Sequence, residues 1–486
     1  MIETGAVMDS QARAAGRVEA LGRVSGFRRD FYGCLTRRGD ALFELTDAVL
    51  CAPGPVTSLP ELSLSPVHRR GHGGMYDALA CGRIEFASLR KSVALTRLPR
   101  DEAGRLRLAV DVTAWPRPDA ECSPGRCHCH KSCRCNGNRQ TIPGWPYSVI
   151  AALETGRTSW TQLLDAVRLG PDDDLTAVTA AQIRDLCTRL RQVGAWSEGD
   201  PPILIAFDAG YDVIALSWLL ADLPVLLVAR IRSGRVMRGP APAARADGRP
   251  GRRPRHGALF RFDTPATWGV PDAERRDTHP RYGRVHVRAW GHLHPDLERR
   301  GAWADHDGQL PIIEGAVVNV TVEYLPGNRA PGPMWLWCSD PVAAGADLDW
   351  WWRSYLRRFD IEHTFRFLKQ TLGLTRPRLR TGEQADRWVW LLIAAHTQLR
   401  LARDLATDLR RPWETPLPPD RLTPGRVRRG FPRIHRAVAL PATAPKPSRP
   451  GPGRPPGATS GPAPRHPVGK EHPKRTNPRR GTQTTG

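Results

Sequence analysis

Two short apolar runs, each ending in an aspartate, constrain the fold of this chain more than any other feature. Residues 105–112 (RLRLAVDV) alternate and then turn apolar up to Asp111, and residues 202–208 (PILIAFD) end at Asp208. Short apolar runs bounded by turn signals are typical of buried strands. An aspartate at a strand end is usually a turn former or a helix cap, so either residue alone indicates no more than a sheet.

The intervals around these strands predict an α/β fold. Between the two aspartates there is room for two further strands and a helix, and residues 179–196 (TAAQIRDLCTRLRQVGAW) have helical periodicity. Residues 224–231 (PVLLVARI) are typical of another core strand. The interval that follows is too long for a single connection. It holds three further β-like runs, at residues 284–290, 311–325 and 334–338.

A charged segment comes next, at residues 355–370 (YLRRFDIEHTFRFLKQ). On a helix, four of its polar side chains would share one face within roughly 60° of arc: Tyr355, Arg358, Glu362 and Lys369. Such a face can hold a metal ion and bind phosphates, although an ordinary amphipathic helix with a charged outer face would look similar. The chain has six lysines against 66 arginines, so composition does not explain a lysine at position 369.

The spacing of these four residues resembles the Y-(2)-R-(3)-E-(6)-K signature of a large group of bacterial insertion-sequence transposases of the DDE superfamily. The sequence Asp208-Ala209-Gly210-Tyr211 is similar to the D-(1)-(G/A)-(Y/F) motif around that group's second aspartate. The resemblance spans roughly residues 105–400. It implies an α/β fold with an RNase H-like catalytic core, interrupted by a β-rich insertion between the second aspartate and the glutamate.

The resemblance also implies which residues act. The catalytic residues would be Asp111, Asp208 and Glu362, binding two Mg²⁺ (or Mn²⁺) ions with Asp111 shared by both. Asp119 lies near Asp111 and no motif separates them, but Asp111 is preferred because it ends a strand. Three residues would bind DNA phosphates: Tyr355, Arg358 and Lys369.

The activity that the resemblance implies is cut-and-paste movement of an insertion sequence, by cleavage and transfer of DNA strands. The partner would be double-stranded DNA, bound by a homodimer. The charge of the chain agrees with a DNA partner, because 72 Lys and Arg against 49 Asp and Glu give a net charge of +23, which favours binding to a polyanion. The sequence has no run of 18 apolar residues and no signal peptide, so a membrane partner is not expected. The protein is expected in the cytoplasm, associated with the nucleoid.

The order of these features predicts six segments. Basic clusters on helical periods suggest that the second segment either binds DNA or caps the core, and loss of apolar residues marks the last as a basic arm. The segments are a disordered or partly helical leader (1–26), a helical N-terminal domain (27–98), the first part of the core (105–235), the β-rich insertion (236–348), a helical second part of the core (349–410) and a Pro/Gly/Arg-rich, largely disordered tail (411–486).

A cluster of cysteines, CSPGRCHCHKSCRC at residues 122–135, falls outside what the resemblance implies. A structural Zn²⁺ site is one hypothesis, although Cys-x-Cys pairs depart from the usual Cys-x(2–4)-Cys spacing. A reduced thiol cluster on a loop near the DNA is the other, and disulfides are not expected in a cytosolic chain. The candidate zinc ligands are Cys122, Cys127, Cys129, Cys133 and Cys135.

Two other functions remain open at this stage. One is a DDE-type nuclease, or an inactive copy of the element, that cuts or binds DNA without transposing. The other is a non-enzymatic, zinc-dependent nucleic-acid-binding protein built on the cysteine cluster. Inverted repeats flanking the gene would distinguish a transposase from the first alternative, and the metal content of the purified protein would test the second.

Overall fold

The structure is a computed structural model of the chain. It describes residues 2–71, 73–131, 140–156, 158–242, 254–325, 331–446, 455–457 and 461–469. Over these ranges the helices are α1 Ile2–Gly33, α2 Gly39–Cys51, α3 Leu59–Leu62, α4 Gly73–Cys81, α5 Phe86–Ala94, α6 Leu175–Gln192, α7 Val213–Leu219, α8 Leu348–Arg357, α9 Phe359–Gln370, α10 Gly382–Leu401 and α11 Pro424–His435.

The strands are short except for three long ones near the middle of the chain. They are β1 Leu35–Arg37, β2 Arg83–Ile84, β3 Arg107–Pro116, β4 Cys127–Lys131, β5 Gln140–Leu153, β6 Thr161–Arg168, β7 Ile203–Phe207, β8 Val225–Ile231, β9 Val236–Arg238, β10 Leu259–Arg261, β11 Ala273–His279, β12 Gly283–Leu293, β13 Gly315–Val322 and β14 Met334–Cys338.

One ten-stranded mixed sheet organises the molecule. Its order is β11-β12-β13-β14-β8-β7-β3-β5-β4, and β6 also pairs with β5. Strands β3, β7 and β8 run parallel, whereas β3, β5 and β6 alternate in direction. The sequence predictions of core strands before Asp208 and at 224–231 are confirmed. A core strand is also found at Asp111, but β3 stays paired with β5 as far as Pro116, so Asp111 lies within its strand and not at the strand end as predicted. The order β6-β5-β3-β7-β8 is consistent with an RNase H-like DDE domain.

The β-like runs between Asp208 and Glu362 extend this same sheet. Strands β12, β13 and β14 cover the three runs, and β14 joins the edge of β8 in antiparallel register, with Leu336 opposite Arg230. Apolar residues from these strands form a second hydrophobic cluster with α8, including Val287, Val318 and Trp351. The packing of α8 on this cluster therefore connects the extension of the sheet to the helix that leads towards Glu362.

The N-terminal helices pack around α10, which is the centre of the helical layer. Every side chain from Trp388 to Leu399 is buried. Helix α10 contacts α1, α2, α4, α5 and α11 on its sides and β6 below. Helices α2 and α4 therefore share one hydrophobic cluster with the sheet. No helix in the described ranges has both the length and the apolar character needed to cross a membrane.

Part of the segment expected to be a disordered tail from residue 411 is ordered. Helix α11 buries Val427 and Phe431, and Arg428 donates to the carbonyl groups of Val49 and Gly54. The arginine-rich composition of the segment does not reveal this helix, because Arg426 and Arg428 are buried against carboxylate and carbonyl acceptors that lie elsewhere in the chain. Residues 461–469 are also described, and their backbone bonds to the loop at 121–126.

A buried ionic network ties the first and last helices together. Arg28, on α1, donates to both carboxylate oxygens of Asp47, at 2.7 and 2.9 Å, and to Gln398 Oε1 at 2.6 Å. His435, on α11, lies 3.0 Å from the same carboxylate. Burial alone would raise the pKa of Asp47, but His435 and Arg28 together lower it. Four segments distant in sequence are joined by this network.

We expect Asp47→Asn to lower the free energy of unfolding by about 3–5 kcal/mol, because it leaves the buried Arg28 cation without its counterion. Urea denaturation at pH 7.5 measures this. Since the folded-state pKa of Asp47 is lowered, its contribution is fully present above its unfolded pKa of about 4 and is lost as the pH falls below that value and through the lower folded-state pKa. The control is Asp77→Asn, which breaks an exposed pair with Arg38 and should cost less than about 1 kcal/mol. Equal losses in the two variants would contradict this role of the network.

Candidate active site

Strand register brings two of the predicted acids together. Val110 is paired with Phe207 across the parallel strands β3 and β7, and Phe207 is paired with Ala229 across β7 and β8. The next residues along these strands, Asp111 and Asp208, are therefore neighbours on the same side of the sheet, on strands roughly 4.8 Å apart. Arg230 follows Ala229 and is the corresponding neighbour of Asp208.

The third acid comes from the helices that cross this face. Helix α8 is anchored by buried tryptophans, among them Trp351 and Trp352. The predicted single helix from Tyr355 onwards is instead two helices joined at Arg358. At the junction the Arg358 N–H bonds to Tyr355 O, and the Ile361 N–H bonds to Arg358 O. These bonds span three residues, so the turn is tighter than an α-helical one. Glu362 then lies in the first turn of α9.

The three carboxylates converge on the guanidinium group of Arg358. Its Nη1 donates to Asp111 Oδ2 at 3.2 Å, and its Nη2 lies 3.6 Å from Asp208 Oδ1 and 3.5 Å from Glu362 Oε1. The Arg358 side chain is only 3% exposed, whereas those of Asp208 and Glu362 are 50% and 51% exposed. The cluster thus has a buried cation at its base and two acids open to solvent.

The electrostatics of the cluster are dominated by an excess of negative charge. The pKa of Asp111 is raised to about 6, chiefly by burial and also by the charges of Asp208 and Glu362, against the opposing effects of Arg358 and the Val112 N–H. Burial would lower the pKa of Arg358, but the neighbouring carboxylates raise it, so the guanidinium is charged at neutral pH. One guanidinium cannot neutralise three carboxylates, and the site therefore attracts further cations.

The other two residues of the sequence signature lie on either side of this cluster. Tyr355 is 2% exposed, and its ring centre is 5.9 Å from the Arg358 guanidinium carbon. It packs against Arg358 and has little surface to offer a phosphate. Lys369 lies about two turns of α9 beyond Glu362 and is half-buried. Burial lowers its pKa, and the charges of Cys129 and Asp111 raise it. Of the three predicted phosphate ligands, Lys369 therefore suits the binding of a phosphate best.

Two residues near the acids were absent from the predicted site. Tyr211 follows Asp208, packs its ring 5.3 Å from that of Phe207, and has its pKa raised by burial and by the charges of Asp111 and Asp208. Its place in the Asp208 motif was a usable signal. Arg230 is exposed beside Asp208 and influences the pKa of Tyr355. The apolar run around it indicated only a core strand, and the register that places it requires the structure.

Two cysteines of the cluster lie on β4, which pairs with β5, and Cys129 is near enough to Lys369 for each to affect the pKa of the other. Cys127 and Cys129 share one face of β4, and burial raises the pKa of their thiols to about 11 and about 12. Cys127 Sγ donates to Leu169 O at 3.5 Å, and the exposed Cys122 lies 3.6 Å from Ala463 O. The other two candidate zinc ligands, Cys133 and Cys135, lie outside the described residues.

The donor chemistry of the acidic cluster suits a hard cation such as Mg²⁺, which prefers carboxylate oxygens. In kind, therefore, Asp111, Asp208 and Glu362 fit the metal that the sequence resemblance implies. In the structure, the Arg358 guanidinium occupies the space between these three carboxylates. Across the described ranges, no group of three or more His, Cys, Asp or Glu side chains is arranged to hold a metal ion. This includes the cysteine thiols of that part of the chain.

The family to which the chain belongs is identified by comparison with known protein families. The model of a family described as DDE superfamily endonuclease matches residues 30–295, more than half of the chain. The chain belongs to this DDE endonuclease family. Membership supports a nuclease or polynucleotidyl transferase type of activity with DNA as substrate. The matched range contains Asp111 and Asp208 and ends before Glu362. No curated protein matches the sequence.

Proposed function

We propose that this DDE endonuclease family member is a transposase that cleaves and transfers DNA strands in a Mg²⁺-dependent reaction. The observation that supports it above all is the contact of three carboxylates, from β3, β7 and α9, with one buried guanidinium. Metal-assisted phosphoryl transfer uses carboxylates gathered from separate elements at one point, and displacement of Arg358 would leave these three free to bind metal. The net charge of +23 suits a DNA substrate.

The roles of the residues follow from their exposure. Asp111, Asp208 and Glu362 would hold the metal ions, which when bound activate the attacking oxygen and stabilise the leaving oxygen. Asp208 and Glu362 are half exposed, so a DNA phosphate can approach them from solvent. Arg358 holds the carboxylates together against their mutual repulsion. Lys369 supplies a positive charge beside Asp111 for a phosphate oxygen.

The test is incubation of the purified protein with the DNA that flanks its own gene, in the presence of Mg²⁺. We expect cuts at the boundaries of the element, and joining of the freed 3′-OH ends to a second DNA. Cleavage without joining would support the nuclease alternative, which the endonuclease description of the family favours. Absence of cleavage with Mg²⁺ and with Mn²⁺ would contradict both. Light scattering of the protein–DNA complex tests the proposed homodimer.

We expect the rate of cleavage to rise with pH through about 6. Below this value Asp111 is protonated and cannot act as a ligand, because its pKa is raised to about 6 by burial and by the adjacent acids. Single-turnover rates between pH 5 and pH 8 measure the effect. Since protons and metal compete for the same oxygen, a tenfold higher Mg²⁺ concentration should shift the acidic limb to lower pH by up to about one unit. A flat profile over this range would contradict the prediction.

A further inference from the structure

The segment that follows α9 carries three arginines on one side. In residues 376–380 (RPRLR), exposed and buried positions alternate, so that Pro377 and Leu379 are buried and the arginines between them face solvent. We call the three exposed residues the arginine track: Arg376, Arg378 and Arg380. Their guanidinium groups form no ion pair or side-chain hydrogen bond among the described residues. The three charges therefore stand at alternate positions of one short segment and all face solvent.

The backbone of this segment is fixed from below by another arginine. The Arg117 guanidinium donates to Leu379 O at 2.6 Å and to Pro377 O at 3.4 Å. It also lies 5.4 Å from the ring centre of Trp145. The Nε of Arg117 is buried and has no hydrogen-bond partner in the described part of the chain. Because both carbonyl groups bond to one planar guanidinium, the backbone of the track is held in place between its arginines.

Positive charge around the track is not balanced. Arg126 is 3% exposed, and among the residues that the structure describes it donates only to carbonyl groups, those of Ser123, Arg117, Glu121 and His466. Burial lowers the pKa of Arg117, and the charges of Arg378 and Arg126 lower it further, with only Asp119 opposing them. A cluster of cations with so little compensation, two of them held by neutral acceptors, favours a bound polyanion.

The track lies in line with the acidic cluster. Strand β3 runs from Asp111 to Pro116, and Arg117 follows directly. Six residues of strand cover about 20 Å, the length of about six base pairs at 3.4 Å each. On the other side of this path, α9 runs from Glu362 past Lys369 to the start of the segment. A duplex with one phosphate at the acids would therefore reach the track about half a turn further along.

We propose that the arginine track binds consecutive backbone phosphates of the DNA arm next to the cleaved bond. This rests on the proposed function for its substrate. Guanidinium groups suit the task because each can donate two parallel bonds to a phosphate. Three exposed cations at alternate positions match a polymer of anions better than a single small ligand. Such contacts hold the duplex in register over the acids and carry no base specificity.

The test uses the full-length protein and a 40-base-pair duplex from the DNA that flanks the gene, without divalent metal so that no cleavage occurs. The variant Arg376→Gln/Arg378→Gln/Arg380→Gln removes the track. We expect its plot of log K against log salt concentration to be less steep by about 2.7, which is about 0.9 for each of three phosphate contacts. Its loss of affinity relative to wild type should then be roughly 40-fold larger at 50 mM than at 200 mM salt. The single variant Arg378→Gln should change the slope by about 0.9.

The matched control removes the same charge from the far edge of the sheet, on β11, its turn and β12: Arg276→Gln/Arg281→Gln/Arg284→Gln. We expect this variant to keep a slope close to that of wild type. Phosphate ethylation should identify contacts that wild type makes and the track variant lacks, clustered about six nucleotides from the remaining contacts. An unchanged slope in the track variant, or the same change in both triple variants, would overturn the proposal. Tighter, track-dependent binding of a 40-base-pair RNA duplex would overturn the assignment to DNA.

Failure of this proposal can be told apart from failure of the proposed function. If the track variant shows the expected slope but wild type cuts no DNA with Mg²⁺, the track is supported and the transposase assignment fails. If wild type cuts its flanking DNA and the track variant binds with an unchanged slope, the track alone is overturned. Thermal melting of each variant confirms that the exposed substitutions leave the fold intact.

Discussion

Glu362→Ala should reduce Mg²⁺-dependent strand cleavage on the order of 10⁴-fold while DNA binding survives. The physical reason is that Glu362 supplies a carboxylate to the site from α9, and no neighbouring acid among the described residues can replace it at the 3.5 Å contact with Arg358. Removing an anion from a surface that faces phosphates also lowers repulsion, so affinity for DNA should not fall. Cleavage rates and a binding titration on the same duplex measure both effects.

Asp111→Ala and Asp208→Ala should give the same result, since the three acids act as one unit. Losses within such a unit are not additive, and the triple variant should be little worse than any single one. Asp119→Ala is the control, because Asp119 is exposed on the loop after β3 and should keep nearly normal activity. If Asp119→Ala is inactive and Asp111→Ala is active, the choice between these two aspartates is wrong.

Arg358→Ala should have the second largest effect, and chiefly on stability in the absence of metal. We expect a loss of about 3 kcal/mol in the free energy of unfolding, because the buried cation that holds three carboxylates is removed. Added Mg²⁺ should restore more stability to this variant than to wild type, since the unpaired acids then gain a counterion. Urea denaturation with and without Mg²⁺ measures the difference.

Arg358→Lys is the matched variant, since it keeps the charge but lacks the fork of donors that reaches three acids. It should fall between wild type and Arg358→Ala. In Arg358→Ala, any remaining cleavage should have its acidic limb at higher pH, because Arg358 is the charge that lowers the pKa of Asp111. Equal stability of all three proteins, with equal responses to Mg²⁺, would show that the guanidinium does not hold the acids together.

The strands that carry Asp111 and Asp208 could be predicted from sequence because their signal is local. Each is a short apolar run, and burial of such a run in a sheet needs no knowledge of its partners. The order of the strands is a different matter. That β14 pairs with β8, so that the strands before Glu362 extend the central sheet, depends on contacts between distant segments. Neither composition nor spacing encodes those contacts directly.

The same limit explains what the sequence could and could not indicate at the site. Offsets along the helix suggested that Arg358 and Glu362 share a face, and they do meet. The hydrogen-bond partner of Arg358 is Asp111, on the distant strand β3, and this burial of Arg358 among carboxylates could not be predicted from helical spacing. Arginine-rich segments were similarly misleading. Helix α11 is ordered because Arg426 pairs with Asp408 and apolar residues beneath it are buried.

The most direct test of the central claim is to locate Mn²⁺ by anomalous X-ray scattering in crystals of the protein bound to its flanking DNA. The proposed function predicts manganese in contact with Asp111, Asp208 and Glu362, with the Arg358 guanidinium displaced from between them. It also predicts that the signal disappears in the triple alanine variant. Manganese bound elsewhere, or a site between the three acids that stays filled by Arg358 while DNA is cut, would contradict it.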